Sequence, residues 1–238
     1  MPAFDVHDWC AWAPRMTGQV AWQRWAQEPG YTGEGEPGLP DVGFLAPMQR
    51  RRLGLLARMF FQVAQPLAGG EAMPVVFASR HGDTRQTMEL LRAVATGDGM
   101  SPTAFGLSVH NATTGLWSIQ TGQMTEMLAT ASEGDSLEHA LLDACGLLQE
   151  GAAQVLVVCA EDQPARDYEP WVDDVPFPYA VALRVRPGAR WRLDLVEGAA
   201  ADSGALVTAS PLNNLRRLLA GQAAWLSGRE GRLWHWRQ

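Results

Sequence analysis

Residues 129–162 read ATASEGDSLEHALLDACGLLQEGAAQVLVVCAED. The run leading in, TEMLATA (125–131), predicts a strand. In SLEHALLDACGLLQE (136–150), Leu137, Ala140, Leu141, Ala144 and Leu148 recur at threes and fours and predict a helix with one buried stripe. Ser136 is placed to cap it and Gly151 to stop it. Gln154–Ala160 is apolar without alternation, which predicts a strand buried on both faces. Strand, helix and uniformly apolar strand together predict a parallel crossover unit, hence a layered α/β domain.

Upstream, residues 47–67 (PMQRRRLGLLARMFFQVAQPL) predict a helix with Leu53, Leu56, Met59, Phe60 and Val63 on one face. Arg50, Arg51 and Arg52 open it, against the helix dipole. They read either as a solvated or ion-paired face or as a docking patch for an acidic partner. Pro74–Ser79 predicts a short buried strand. Residues 84–96 predict a helix with Met88, Leu91 and Val94 inward. Residues 107–120 (LSVHNATTGLWSIQ) predict another helix, weakened by Thr113, Thr114 and Gly115. Trp22 and Trp25, three apart, read as packing on one helix face. The Gly-, Pro- and acid-rich stretch 31–41 predicts a surface loop. Downstream, 179–186 and 190–196 alternate like two strands, with Pro187-Gly188 as the turn between them. Ser210-Pro211 starts a last helix carrying Leu212, Leu215, Leu218 and Leu219. The terminal RLWHW reads as an edge strand or a partner contact.

The chain has 238 residues, 47% hydrophobic and 19% charged, enough to bury a core as a single domain over 1–238. A net charge of −7 argues against nucleic-acid or anionic-membrane partners. All 19 basic residues are arginine, which excludes a lysine Schiff base and a P-loop lysine. Cys10, Cys145 and Cys159 give no disulfide framework and no metal-ligand spacing. No apolar run approaches the roughly 20 residues of a membrane span, and MPAFDVHDWC lacks the pattern of a signal peptide. The expectation is a soluble, cytoplasmic protein.

Catalytic patterns are sparse. His7, His81, His110, His139 and His235 are scattered, so no metal site is expected. No phosphate loop and no GxSxG elbow is present, and no cofactor is expected. Glu161-Asp162 and Asp173-Asp174 read as solvated carboxylate pairs. His81, beside Arg80 and Asp83, follows a strand in a loop, where functional residues collect.

The order of these segments resembles the N-terminal half of a β-ketoacyl synthase, one of the thiolase-fold condensing enzymes. RRRLGLLARMFF, SPTAFGLSVHNATTGLWSI and the central stretch 129–162 carry the resemblance, over about residues 45–165. The implied fold is a thiolase-like half, layered α/β/α with a mixed sheet, with 166–238 as a reduced C-terminal part. The combination resembles the short proteins of the chain length factor type from bacterial aryl polyene clusters.

The resemblance implies a cysteine where the strand bends into the central helix, yet Thr130-Ala131-Ser132-Glu133-Gly134-Asp135-Ser136 has none. Ser132 or Gly134 holds that position. Cys145 lies inside the helix and Cys159 at a strand end. The family's catalytic histidines lie in a second copy of the fold, for which the residues after Asp162 are too few. The implied role is a non-catalytic subunit that pairs with an active β-ketoacyl-ACP synthase as a heterodimer and shapes its acyl pocket. The interface would run over about Met124–Ala131, with Met124, Met127, Ala129 and Ala131 at the contact. His110 and Asn111 would face it, unless His110 is a histidine satisfied within the fold. An acyl carrier protein would meet Arg50–Arg52, and a homodimer is a further possibility. The alternative is a Ser-dependent acyltransferase or thioesterase using Ser132 or Ser136 with His139. Its bland counterpart is a capping serine beside a solvated histidine.

Overall fold

The computed structural model describes residues 2–196, 206–229 and 231–238. The chain opens on strand β1 (Ala3–Trp12) and helix α1 (Gly18–Gln27), whose Trp22 and Trp25 are buried. Helices α2 (Pro47–Arg50) and α3 (Leu55–Ala68) stand where a single helix was expected. Gly54 is extended and starts α3. Arg58 then ties the break together, donating to Leu53 O at 3.1 Å and Arg50 O at 2.7 Å. The expected stripe from Leu53 to Val63 is buried all the same.

Strand β2 (Val75–Ala78) leads to α4 (Thr84–Thr96), α5 (Pro102–Ser108) and α6 (Ala112–Thr121). Two expectations fail here. Helix α4 buries no residue, and Leu91 and Val94 face solvent rather than the core. It is held by polar tethers instead: Thr84 Oγ1 accepts from Ala165 N at 2.9 Å, and Arg92 pairs with Asp167 at 2.5 Å. The helix expected over 107–120 is interrupted at Val109, which is extended. That step lets His110 reach the Ser79 carbonyl oxygen at 2.8 Å, while Thr113, Thr114 and Gly115 lie inside α6.

Strand β3 (Met127–Thr130), helix α7 (Ser136–Gln149) and strand β4 (Val155–Glu161) form the expected crossover. Both strands run parallel to β2, which lies between them. The helix cap is Asp135, not Ser136, which occupies the first helical position. Every residue of β4 is buried.

A 3₁₀ turn at Glu169–Trp171 precedes β5 (Tyr179–Val196), a continuous strand where two were expected. Residues 187–190 bulge from it rather than turning back. The Asp5 carboxylate holds the bulge, accepting from Arg190 N at 2.9 Å, and Gly188 is needed because a Cβ there would run into Asp5. Strand β6 (Leu206–Thr208), helix α8 (Pro211–Leu219), β7 (Ala224–Arg229) and β8 (Arg232–Arg237) complete the chain. The terminal RLWHW is no edge strand: β8 lies between β5 and β7, with Trp234 and Trp236 buried.

The strands form one mixed sheet in the order β3-β2-β4-β5-β8-β7-β6, with β1 pairing along β5. Alternate residues feed two cores. Val75, Phe77, Leu156 and Val158 pack on α3 and α6 around Phe60, Phe61 and Trp117. Val76, Ala78, Val155 and Val157 pack on the stripe of α7 and on Trp225, Trp234 and Trp236. A third cluster joins α1 and α8 over Tyr179 and Val181. Helices on both faces of the sheet make the layered α/β/α arrangement expected. Among the described residues, no helix is long and apolar enough to cross a membrane.

Candidate functional site

Parallel strands end together, and ligands in such sheets gather beyond their carboxyl ends. Here β2, β3 and β4 end at Ala78, Thr130 and Glu161. Beyond them lies an open cleft lined by Arg80, His81, Ser132, Glu133, His139 and Trp171, among others.

On one side stands the bend before α7. Ser132 Oγ lies 3.1 Å from His139 Nδ1, so the sequence-expected serine and histidine do meet. The surrounding bonds decide what the pair can do. His139 Nδ1 also lies 3.0 Å from the Asp135 carbonyl oxygen, an acceptor only, so Nδ1 carries the proton. It therefore cannot take one from Ser132. The Ser132 hydroxyl donates instead to the Asp135 carboxylate. Asp135 is fully buried and also accepts from Arg232 Nε at 2.7 Å, Arg232 Nη2 at 3.0 Å and Trp234 Nε1 at 2.9 Å. Burial opposes its charge, but the bonds from Arg232, Ser132 and Trp234 outweigh burial and hold the carboxyl well below the usual range. A carboxylate so stabilised is a poor base. Ser136 is buried and donates to the Ser132 carbonyl at 3.3 Å.

Gly134, the other candidate for the nucleophile position, has no room for a side chain. A Cβ there would lie 3.0 Å from the Ala209 carbonyl oxygen and run into Arg229. The cysteines do not compensate. Burial pushes the thiols of Cys10 and Cys145 up to about 11, and that of Cys159 well above its ordinary value. None is a thiolate at neutral pH.

The other side of the cleft was not foreseen as a unit. Glu161 is buried at the end of β4, not solvated. It accepts from Ser79 Oγ at 3.1 Å, from His81 N at 3.3 Å and from Arg80 N. Burial pushes it up to about 7 against those bonds. Asp174 binds Arg80 Nη1 at 2.8 Å and His81 Nε2 at 2.9 Å, and these bonds bring it down to about 2 despite its burial. Arg80 Nη2 reaches Glu133 Oε2 at 2.8 Å, spanning from β2 to the bend. The pairs Glu161-Asp162 and Asp173-Asp174 were visible in the sequence. The missed signal was an acid closing a wholly apolar strand, where water is scarce.

The remaining candidates are dispersed. His110 packs its ring 5.7 Å from that of Phe77, and Asn111 is exposed at the start of α6. Met127 and Ala129 turn toward the α3 core, while Met124, Leu128 and Ala131 are exposed. Arg51 and Arg52 are exposed, Arg50 is partly so, and none of the three has an ion pair among the described residues.

Layered helices around a mixed sheet, with a strand bending into a buried central helix, define a thiolase-like ketosynthase fold. The sequence matches the family described as β-ketoacyl synthase, N-terminal domain, over residues 22–237, and the chain belongs to that family. The match runs beyond both ends of the 45–165 resemblance. Comparison with curated protein sequences gives no match. Among solved structures, the chain is similar to one described as the ketosynthase ApeO in complex with its chain length factor ApeC from Xenorhabdus doucetiae. The TM-score is 0.86 at 24% identity, over 99% of each chain. It is also similar to the ishigamide ketosynthase/chain length factor, with a TM-score of 0.71 at 13% identity over 98% of each chain. A type II polyketide ketosynthase complex with its acyl-carrier protein, AntDE:AntF, gives 0.65 at 12% identity, over 84% of this chain and 72% of that one. At these identities the likeness concerns the fold.

Proposed function

We propose that this chain is a non-catalytic, chain-length-factor-type subunit that pairs with an active β-ketoacyl-ACP synthase and shapes its acyl or polyene pocket. The carrying observation is the bend itself: of the two residues that could hold the acyl-accepting thiol's place, Ser132 gives its hydroxyl to the fully buried Asp135, itself clasped by Arg232 and Trp234, and Gly134 carries no side chain. Claisen condensation on this chain alone would need a nucleophile at that bend. The partner then supplies the thiol, and this subunit supplies a wall.

The contact would be the outer edge of β3, unpaired among the described residues, with Met124 and Leu128 at its surface. Exposed Leu91, Val94, Phe105 and Ile119 extend the apolar face across α4, α5 and α6. Met127, Ala129 and Ala131 lie along that strand, and His110 and Asn111 sit near its far end. Arg50–Arg52, cations without an ion-pair partner among the described residues, suit an acidic carrier protein.

One observation favours a second reading, a Ser-dependent acyltransferase or thioesterase: the 3.1 Å contact of Ser132 with His139 in an open cleft. The proton positions above argue against it.

Co-expression with a full-length condensing enzyme tests the proposal. The expected results are a stable heterodimer on size-exclusion chromatography, no acyl adduct on this chain by intact mass after exposure to acyl thioesters, and no thioester hydrolysis by the purified chain. An adduct on Ser132 would overturn it in favour of the second reading, and failure to pair would overturn it outright.

A further inference from the structure

Apart from the cleft, a cavity of about 450 Å³ opens between α1, α8 and the loop 173–177. That size suits a small organic ligand. Trp25, Phe177 and Leu212 give it apolar walls. Arg216 lies over Trp25, its guanidinium carbon 4.0 Å from the ring centroid. Among the described residues its guanidinium has no protein hydrogen-bond acceptor.

The charges around the cavity are otherwise spoken for. Asp173 pairs with Arg229 at 3.1 Å, and Asp174 is held by Arg80 and His81. Arg24, near Tyr31, pairs with Glu28 and Glu34. Arg217 donates to Gln222 at 2.9 Å. Among the described residues Arg216 alone in this cavity has neither a hydrogen-bond acceptor nor an anionic partner, and its Nε is buried unpaired. Burial and the neighbouring Arg217 both disfavour its charge, which an anion would stabilise.

We propose that this cavity binds a small monocarboxylate with an apolar body, its carboxylate on Arg216 and its body against Trp25 and Phe177. One unpaired cation matches one negative charge. A phosphate dianion would need a second cation, and Arg229, the other cation lining the cavity, is already paired with Asp173. The site is independent of the pairing proposed above.

Isothermal titration calorimetry with 3-phenylpropionate, and with its uncharged amide 3-phenylpropanamide, tests this on the full chain. The acid should bind at one site. The amide should bind about tenfold or more weakly, the loss expected of a charge-assisted hydrogen bond. Arg216→Gln should weaken the acid similarly, while Arg217→Gln should leave it unchanged. Absence of saturable binding at millimolar acid overturns the proposal. So does equal binding of acid and amide, which is mere apolar partitioning. Should R216Q fail to fold, the acid–amide comparison on the unaltered protein still decides.

Discussion

At the C-terminal side of the sheet, Trp225 and Trp236 stack with ring centroids 5.0 Å apart, and Trp191 meets Trp225 edge-on at 5.6 Å. Their polar ends are used as well: Trp236 Nε1 donates to Glu138 at 3.3 Å and Trp225 Nε1 to Asn214 at 3.0 Å. At the opposite side, β3 ends the sheet with Leu128 39% exposed, Ile119 of α6 76% exposed and Met124 93% exposed. The first region covers its aromatic surface with its own chain. The second leaves apolar side chains beside a strand edge unpaired among the described residues, which an isolated chain ordinarily blunts with charge. One sheet thus carries a finished side and an unfinished one, and in the proposed reading the unfinished one takes the partner.

The sharpest way to break this contrast is at β3. Leu128→Asp places a charge on the exposed edge and should abolish co-elution with the condensing-enzyme partner. The isolated chain should keep its unfolding midpoint, since surface substitutions change stability by only about 0.5 kcal/mol. A complex that survives L128D moves the interface elsewhere. On the finished side the effect should fall on stability. Trp236→Ala removes a fully buried ring and should cost about 3–5 kcal/mol in denaturant unfolding. Ile119→Ala, on the open side, should cost less than about 0.5 kcal/mol. Equal costs would erase the distinction.

The same contrast explains what could be read from the residues. The crossover was legible because its pattern is local: a stripe at threes and fours, then a run of apolar residues. Helix α4 was legible as a helix but not in its orientation. Periodicity reports that an apolar face exists, not that this chain covers it, so Leu91 and Val94 point outward. The bulge at 187–190 was misread because Pro-Gly is a turn signal, while Asp5 and the pairing with β1 on both sides of it, far away in sequence, keep the strand going. The departure from the family's thiol was plain in the sequence. Its consequence was not, because Arg232 and Trp234 reach Asp135 across about a hundred residues of sequence. Helical spacing pointed to Ser136 beside His139, but the contact falls on Ser132, which lies in the bend outside α7. The protonation that disarms it depends on the Asp135 carbonyl, a backbone atom no sequence pattern displays.

The smallest effect sharpens the comparison through two buried acids. Asp135, beside the tryptophan-rich side, has a cation and stays ionised. Its folded value lies below the ordinary 3.8, so its stabilisation is present in full above 3.8 and is lost as pH falls from there through the lower folded value. Glu161, under the cleft, has hydrogen bonds but no salt bridge among the described residues, and burial lifts it from 4.5 to about 7. The sign is then reversed. The folded state holds this proton more tightly than the unfolded chain, so stability is greatest below 4.5 and declines as pH rises toward 7. A carbon-13 titration of the Glu161 carboxyl should show a midpoint near 7, and Glu161→Gln should flatten the pH dependence of stability between about 4.5 and 7. A midpoint at or below 4.5 would mean that the Ser79, Arg80 and His81 donors prevail over burial. The cleft would then hold a fixed negative charge at neutral pH, as the bend before α7 already does in Asp135.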